Sequence, residues 1–199
     1  VDKPIELIKK WNELIEELPF DSSEVSVKNS LRHDLKFIFG PPGTGKTTTL
    51  AKRIINLIEN NEHCRILVLA PTNKACDVIT KKILDFEPDN DFWLWRFVST
   101  MDPELEDEEV VYQRDSDIMR QDKVCVVSTM ARYSFDGFDD GLLNTLDWDY
   151  VIIDEASMID AILFDNLLKA LRLSCRIILV GDSDQLPSIG AGNVLNDIL

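Results

Sequence analysis

Short apolar runs and amphipathic segments alternate along this chain. The apolar runs are four to six residues long, at Lys36–Phe39, Arg65–Ala70, Val124–Val127, Tyr150–Ile153 and Arg176–Val180. Between most of them, apolar residues recur at helical spacing, over Thr47–Ile58, Asn73–Leu84 and Asp160–Leu171. Continuous apolar strands that alternate with helices are typical of a parallel sheet covered on both faces. The pattern therefore predicts an α/β fold with a three-layer, doubly wound parallel sheet.

The N-terminal part of the chain departs from this alternation. Apolar positions recur with helical period over residues 5–18, and Pro19 ends the run. We therefore predict a separate N-terminal helix within residues 1–20 and a main domain over residues 21–199. The segment Asp21–Glu24 has the composition of a helix N-cap, so a second helix is predicted to begin there.

The second departure is the segment 86–123, which shows no clean strand–helix unit and which we interpret as an insertion at the rim of the sheet. An acidic run over residues 102–109 is expected to be a solvated face. A nearby aromatic cluster fits either a small hydrophobic core or a surface on which bases stack, and the burial habits of aromatic side chains favour the core. Its members are Phe92, Trp93, Trp95 and Phe97.

Composition and charge narrow the function classes. The chain has 199 residues, 45% of them hydrophobic, and a formal net charge of −15. This charge argues against a general polyanion-binding surface, because phosphate contacts need clustered Lys and Arg, although it leaves room for a local basic strip. Neither a membrane-spanning segment nor a secretory signal is apparent. We therefore expect a cytoplasmic or otherwise intracellular protein with no membrane partner.

The four cysteines lie at positions 64, 76, 125 and 175, far apart and without a C-x-x-C pair. Such spacing does not suggest a zinc site. It favours buried thiols in a reducing compartment, because cysteine is among the most buried residue types.

The strongest chemical signal is the segment GPPGTGKT, residues 40–47, which matches the phosphate-binding loop G-x-x-x-x-G-K-T. It lies between a predicted strand and a predicted helix, the setting that this motif requires. Backbone N–H groups and the helix N-terminus bind phosphate there, while glycines permit the necessary torsions. The lysine is expected to reach the β- and γ-phosphates of ATP, and the next threonine to ligate Mg²⁺. The predicted nucleotide-binding residues are Gly40, Pro42, Gly43, Thr44, Gly45, Lys46, Thr47 and Thr48.

Two carboxylates, Asp154 and Glu155, follow the predicted strand at 150–153. The first is expected to hold Mg²⁺ together with Thr47, and the second to orient and deprotonate the attacking water. Gln185 follows the last predicted strand, and its amide is a candidate contact to the γ-phosphate because it both donates and accepts. The surrounding segment fits an ordinary polar turn equally well. The candidate catalytic residues are Lys46, Glu155 and Gln185.

Together these segments resemble the first RecA-like domain of superfamily 1 helicases, in the 5′→3′ branch that includes RecD-like and Upf-like enzymes. The similar segments are GPPGTGKT (40–47) for motif I, APTNKACD (70–77) for motif Ia, DEAS (154–157) for motif II and GDSDQLPSIGAGNVLND (181–197) for motif III with a RecD-like extension. Motif I alone is generic to phosphate-binding loops, so the pairing of APTNKA with GDxxQLP carries the resemblance. It implies a RecA-like fold from about Asp21 onward, with the insertion similar to the family's 1B region.

The resemblance also implies roles for residues outside the phosphate site. Pro71, Thr72 and Asn73 would lie on the path of a single-stranded nucleic acid, with Thr129 of the segment VVSTMAR farther along it. Thr72 and Asn73 fit a helix N-cap equally well. Glu24 aligns by eye with the glutamine that reads adenine in the family. A glutamate accepts from the adenine amino group but cannot donate to N7, so its part in cofactor binding stays open.

The implied activity is that of an ATP-dependent DNA helicase, which couples ATP hydrolysis to translocation on single-stranded DNA and duplex unwinding. A second RecA-like domain with arginine fingers has no counterpart in this chain, so we expect the chain alone to hydrolyse ATP poorly. Within the family, the alternative is an RNA helicase of the Upf-like group. Outside it, the alternative is a P-loop ATPase that remodels proteins, against which the APTN segment argues.

Overall fold

The computed structural model describes residues 24–27, 35–39, 43–86, 92–97, 100, 102–106, 121–131, 148–172, 174–182, 190, 192 and 194–198. The strands are β1 (Glu24–Val27), β2 (Leu35–Phe39), β3 (Cys64–Ala70), β4 (Trp93–Arg96), β5 (Lys123–Thr129), β6 (Tyr150–Ile153) and β7 (Arg176–Gly181). The α-helices are α1 (Lys46–Glu59), α2 (Asn73–Leu84), α3 (Pro103–Glu106), α4 (Ala161–Ala170) and α5 (Val194–Ile198), and a 3₁₀ turn covers Ala156–Met158.

The seven strands form one sheet in the order β1-β2-β7-β6-β3-β5-β4. Strand β1 pairs antiparallel to β2, and every other neighbouring pair is parallel. All five strands predicted from apolar runs are present and shift by no more than two residues at either end. Parallel strands end at the same edge, so the segments after β2, β3, β5, β6 and β7 meet on one side of the domain.

Helices cover both faces of the sheet, as the continuous apolar strands predict. In β3, Ile66 and Val68 pack with α1 and α2 on one face, whereas Leu67 and Leu69 pack with α4 and α5 on the other. This division follows from the period of two in a strand, which sends successive side chains to opposite faces. The three-layer α/β architecture is therefore confirmed.

The predicted helix start at Asp21–Glu24 is wrong, because Glu24–Val27 forms strand β1. Its register sets Val25 opposite Phe37 and Val27 opposite Leu35 of β2. Two β-branched residues at alternate positions favour a strand, and the open edge of β2 supplies the hydrogen-bonding partner. The N-cap composition of the preceding serines was a weaker signal than this pairing.

The interpretation of the whole segment 86–123 as a rim insertion is also wrong in part. Trp93–Arg96 is a strand of the main sheet and pairs parallel with β5. Trp95 is fully buried in the main core and meets Phe97 edge to face, with ring centroids 5.0 Å apart. Trp95 therefore belongs neither to a separate small core nor to a stacking surface, whereas Trp93 remains 40% exposed.

The predicted N-terminal helix at 1–20 lies outside the described residues. Within them, no helix has the length and apolar character needed to cross a membrane. All four cysteines are buried thiols that form no disulfide, as predicted. Burial raises the pKa of Cys64 and Cys175 to about 12 and that of Cys76 to about 11.

Candidate active site

The phosphate-binding loop ends at the N-terminus of α1. Gly43 and Gly45 hold φ values of +82° and +83°, in the left-handed region that suits glycine. Gly45 is the N-cap residue, no side chain caps the helix, and no acidic residue lies in its first turn. The first N–H groups of a helix have no partner within it, so this end is suited to an anion. Thr44 is exposed, while Lys46, Thr47 and Thr48 are half-buried beside it.

Asp154 lies at the end of β6, where its N–H donates to the Leu69 carbonyl at 2.8 Å and extends the parallel ladder by one bond. The side chain is buried. Burial and the neighbouring Glu155 raise the pKa of Asp154 to about 6, while the Lys46 charge opposes the shift. Burial disfavours the charged form of a carboxylate, and a nearby cation stabilises that charged form. The position therefore fits a ligand of Mg²⁺.

Glu155 is the one described residue other than glycine with positive φ, at +51°. Such a torsion costs about 1–3 kcal/mol in a residue with a side chain and clusters at functional sites. Its Oε2 atom is buried and has no hydrogen-bond partner among the described residues. Glu155 thus combines backbone strain with an unpaired carboxylate oxygen, which is unusual for a solvated acid at a strand end.

Gly181, the last residue of β7, lets the turn after Glu155 pack closely against the sheet. A Cβ at this position would lie 2.9 Å from Leu195 Cδ2 and 3.3 Å from the Ala156 nitrogen. The first contact is too close for real structures and the second is tight. The glycine of the GDxxQLP segment therefore holds the end of β7 against the chain that follows the acidic pair.

One cleft of about 280 Å³ joins the three predicted parts of the site. Thr47 comes from the phosphate loop, and Asp154 and Glu155 come from the acidic pair. The cleft is also lined by the first half of α2 and its N-cap, with residues Thr72, Lys74, Ala75, Val78 and Ile79. The structure therefore brings the predicted Mg²⁺ ligands and the predicted base together, next to the segment assigned to nucleic acid.

The start of α2 is capped as the alternative interpretation of Thr72 and Asn73 predicted. Thr72 Oγ1 accepts from the Ala75 N–H at 3.1 Å. Thr129 is the register partner of Ala70, so it lies beside the residue that precedes Pro71. The four predicted nucleic-acid residues are therefore neighbours at the carboxyl edge of β3 and β5.

A family profile described as an AAA domain matches residues 23–191. The chain belongs to this AAA-domain family. It is 34% identical over 188 residues to the RecBCD enzyme subunit RecD of Buchnera aphidicola subsp. Schizaphis graminum, an alignment that covers 94% of the chain and 28% of that relative. It is 30% identical over 195 residues to RecD of Buchnera aphidicola subsp. Acyrthosiphon pisum, covering 96% and 29%. The chain thus spans less than a third of the length of these relatives.

These relatives confirm the resemblance to RecD-like superfamily 1 helicases. A solved structure of a nuclease-deletion mutant of the Type ISP restriction-modification enzyme LlaGI, in complex with a DNA substrate mimic, shares the fold. Its TM-score is 0.50 at 19% identity, over 81% of this chain and 18% of that one. The RecA-like fold predicted for this AAA domain is confirmed.

The roles of the predicted site residues of the AAA domain stay predictions. Gly40, Pro42 and Gln185 lie outside the described residues. The backbone of Glu24 pairs with Ile38, on the strand that leads into the phosphate loop, and its reading of adenine stays a prediction. The sequence did not predict a role for Arg96, a fully buried charge beside the start of α2. The one signal was an arginine at the end of an apolar strand.

Proposed function

We propose that this AAA domain is the ATP-binding motor domain of an ATP-dependent DNA helicase. The observation that carries the proposal is the cleft in which the phosphate loop, the acidic pair and the start of α2 meet. The first two parts supply what ATP hydrolysis needs, and the third is the segment that the RecD-like resemblance assigns to nucleic acid. A shared cleft suits a domain in which ATP binding and hydrolysis change the contacts with a bound strand.

The N-terminus of α1 would bind the phosphates of ATP. The torsions of Gly43 and Gly45 turn the loop into the helix, so its uncapped N–H groups and positive dipole end favour an anion. Lys46, the first residue of the helix, would place its ammonium group on the β- and γ-phosphates. Thr44 and Thr48 flank this position along the same loop and first turn.

Thr47 and Asp154 would hold Mg²⁺, and both supply the hard oxygen ligands that this ion prefers. When bound, the ion neutralises charge on the β- and γ-phosphates. Glu155 would accept a proton from the attacking water at Oε2, which is buried without a partner among the residues described. Gln185 would contact the γ-phosphate and couple its loss to movement.

Pro71, Thr72, Asn73 and Thr129 would face a single strand across the carboxyl edge of the sheet. Short polar side chains and backbone amides position phosphates without reading bases. We favour DNA over RNA because the relatives that cover most of the chain are RecD subunits and because the GDxxQLP segment carries a RecD-like extension. A second RecA-like domain of the same protein would supply arginine fingers, which are worth a factor of about 10³ or more in rate.

The proposal is tested by ATP turnover of the full-length protein, measured with and without oligothymidylate and oligouridylate. We expect single-stranded DNA to raise turnover, because the strand and the nucleotide would meet at one cleft. Lys46→Ala should reduce turnover about 10²–10³-fold, because it removes a charge that stabilises the transition state. Lys52→Ala is the matched control, since Lys52 is an exposed lysine of the same helix and should leave turnover unchanged.

The outcomes separate the alternatives. Stimulation by oligouridylate and not by oligothymidylate would identify an RNA helicase instead. Turnover that responds to neither strand would contradict the helicase proposal and favour an ATPase that acts on proteins. Full turnover in Lys46→Ala would refute the assignment of the nucleotide site.

A further inference from the structure

Arg96 is a charged residue at the end of an otherwise apolar edge strand, and it is completely buried. A buried guanidinium is tolerated when its donors are paired. Arg96 Nε donates to Asp77 Oδ1 at 2.8 Å, and Nη1 donates to the Phe97 carbonyl at 2.6 Å. Nη2 donates to Asn73 twice, to the carbonyl oxygen at 3.3 Å and to Oδ1 at 3.1 Å.

These bonds connect β4 with the first turn of α2. Asn73 is the first residue of the helix and Asp77 lies four residues later, so both occupy one face of the helix. The planar fork of an arginine can hold two such partners in a fixed geometry, which an ammonium group cannot do equally well. Asn73 directly follows Thr72, the N-cap residue that lines the cleft.

The bond to Oδ1 also decides how the Asn73 amide is oriented. Oxygen and nitrogen stand on opposite sides of a carboxamide, and the partner of one sets the direction of the other. With Oδ1 toward Arg96, the NH₂ group of Asn73 is directed away from the guanidinium, and the residue as a whole is exposed. The exposed end is thus a hydrogen-bond donor, the polarity that a phosphodiester requires.

We propose that Arg96 is a positioning residue for single-stranded nucleic acid, which fixes the first turn of α2 and directs the amide donors of Asn73 toward a phosphate of the strand. The inference rests on the proposed function, since it needs a strand at this edge. Arg96 acts through Asn73 and does not touch the strand. It gives the strand β4 a role in binding that the helicase motifs do not assign.

The main test is the double variant Arg96→Met with Asp77→Leu in the full-length protein. Replacing a buried ion pair by apolar residues of similar volume is often neutral for folding, whereas it removes the tether to Asn73. The readout is the fluorescence anisotropy of a labelled oligothymidylate at fixed salt, beside the affinity for a fluorescent ADP analogue. We expect strand affinity to fall about tenfold or more, because a hydrogen bond to a charged group is lost, with ADP affinity unchanged.

Two single variants keep the test decisive if the double variant does not fold. Asn73→Ala removes the donors and should weaken strand binding to a similar extent. Asn73→Asp keeps an acceptor for Arg96 but replaces the donors by a charge that repels phosphate, so it should weaken strand binding more than Asn73→Ala. Arg172→Met is the matched control, because this guanidinium pairs with Asp149 at the other end of the sheet. It should leave strand affinity unchanged.

Wild-type strand affinity in the folded double variant, or in Asn73→Asp, would overturn the positioning role of Arg96. An equal fall in strand and ADP affinity would overturn it as well, since that result would indicate general loosening of the domain. If the wild-type protein binds neither oligothymidylate nor oligouridylate, the proposed function itself fails, a result that differs from both.

Discussion

The carboxyl and amino ends of the same strands differ in how completely their polar groups are paired. At the amino end, Asp149 accepts from the Arg65 N–H at 2.9 Å and from Arg172 Nη2 at 2.5 Å. Its own carbonyl accepts from the Arg176 N–H at 2.9 Å. At the carboxyl end, three buried side-chain oxygens have no partner among the described residues, namely Ser128 Oγ, Glu155 Oε2 and Ser157 Oγ.

Backbone torsions show the same contrast. The positive φ values of the described residues lie at Gly43, Gly45, Glu155 and Gly192, all in segments that follow the carboxyl ends of strands. Unpaired groups and strained torsions persist where the surrounding structure holds them in place, and they concentrate at functional sites. We therefore expect substitutions at the carboxyl end to change activity and substitutions at the amino end to change stability.

The largest effect is expected for Glu155→Gln. The amide keeps the size of the side chain but cannot accept a proton from water, so turnover of ATP should fall about 10²–10⁴-fold. The free energy of unfolding should not fall, because the amide fills the same space and the change removes like-charge repulsion with Asp154. Steady-state turnover and urea unfolding of the same preparation measure both quantities. Retained turnover would show that Glu155 is not the base.

Asp149→Ala is the opposite case at the amino end. It leaves the Arg65 N–H without its acceptor and should lower the free energy of unfolding by about 1–3 kcal/mol. The lost pair with Arg172 adds little, because both side chains are about a third exposed. Asp149→Asn is the matched control, since its oxygen can still accept from Arg65, and it should lose less. Affinity for ADP should not change in either variant, and a selective loss of ADP binding would contradict the division between the two ends.

The smallest effect per residue concerns the thiols of Cys64 and Cys175, also at the amino end. Burial raises the pKa of both to about 12, and the charge on Asp149 adds to the shift. Below about pH 8.5 each thiol is protonated in both the folded and the unfolded chain, so its ionisation does not lower the free energy of unfolding. Above that pH the unfolded thiol ionises first, so each should contribute about 1–2 kcal/mol less stability near pH 10.

Urea unfolding near pH 7.5 and near pH 10 measures this loss. In the double variant Cys64→Ala and Cys175→Ala, the cost of lost packing is the same at both pH values. The fall in stability between them should therefore be smaller than in the wild type. An unchanged fall would show that these thiols ionise equally in the folded and unfolded chain.

Periodicity predicted most of this fold because its central elements are long or continuous. The helix over Asn73–Leu84 and the strand over Tyr150–Ile153 lie where the apolar pattern sets them. The two strands that sequence reasoning missed, β1 and β4, have four residues each and lie at the edges of the sheet. Length alone does not explain this, because β6 is equally short but is apolar throughout. Strand β1 contains Glu24 and Ser26 and β4 ends in Arg96, so pairing with a neighbouring strand decides their structure.

The site was predictable as a set of motifs and unpredictable in its supporting contacts. Spacing and residue type predicted that Thr47, Asp154 and Glu155 lie close together, because parallel strands end at the same edge of the sheet. The left-handed torsion of Glu155 had no local signal, since glutamate is not a residue type that favours positive φ. The burial of Arg96 likewise depends on its pairing with Asp77. Asp77 belongs to α2, which lies next to Arg96 only in the folded domain.

The strand order also has a consequence for how the protein folds. The neighbours of β2 in the sheet are β1 and β7, and the register pairs Leu35 with Ile177. Pairing between segments so distant in sequence forms slowly, because a long loop must close before any contact compensates for it. The strand that leads into the phosphate loop therefore gains its parallel partner only once β7 has been synthesised. A nucleotide that binds the finished loop would select the completed sheet and shift the folding equilibrium toward it.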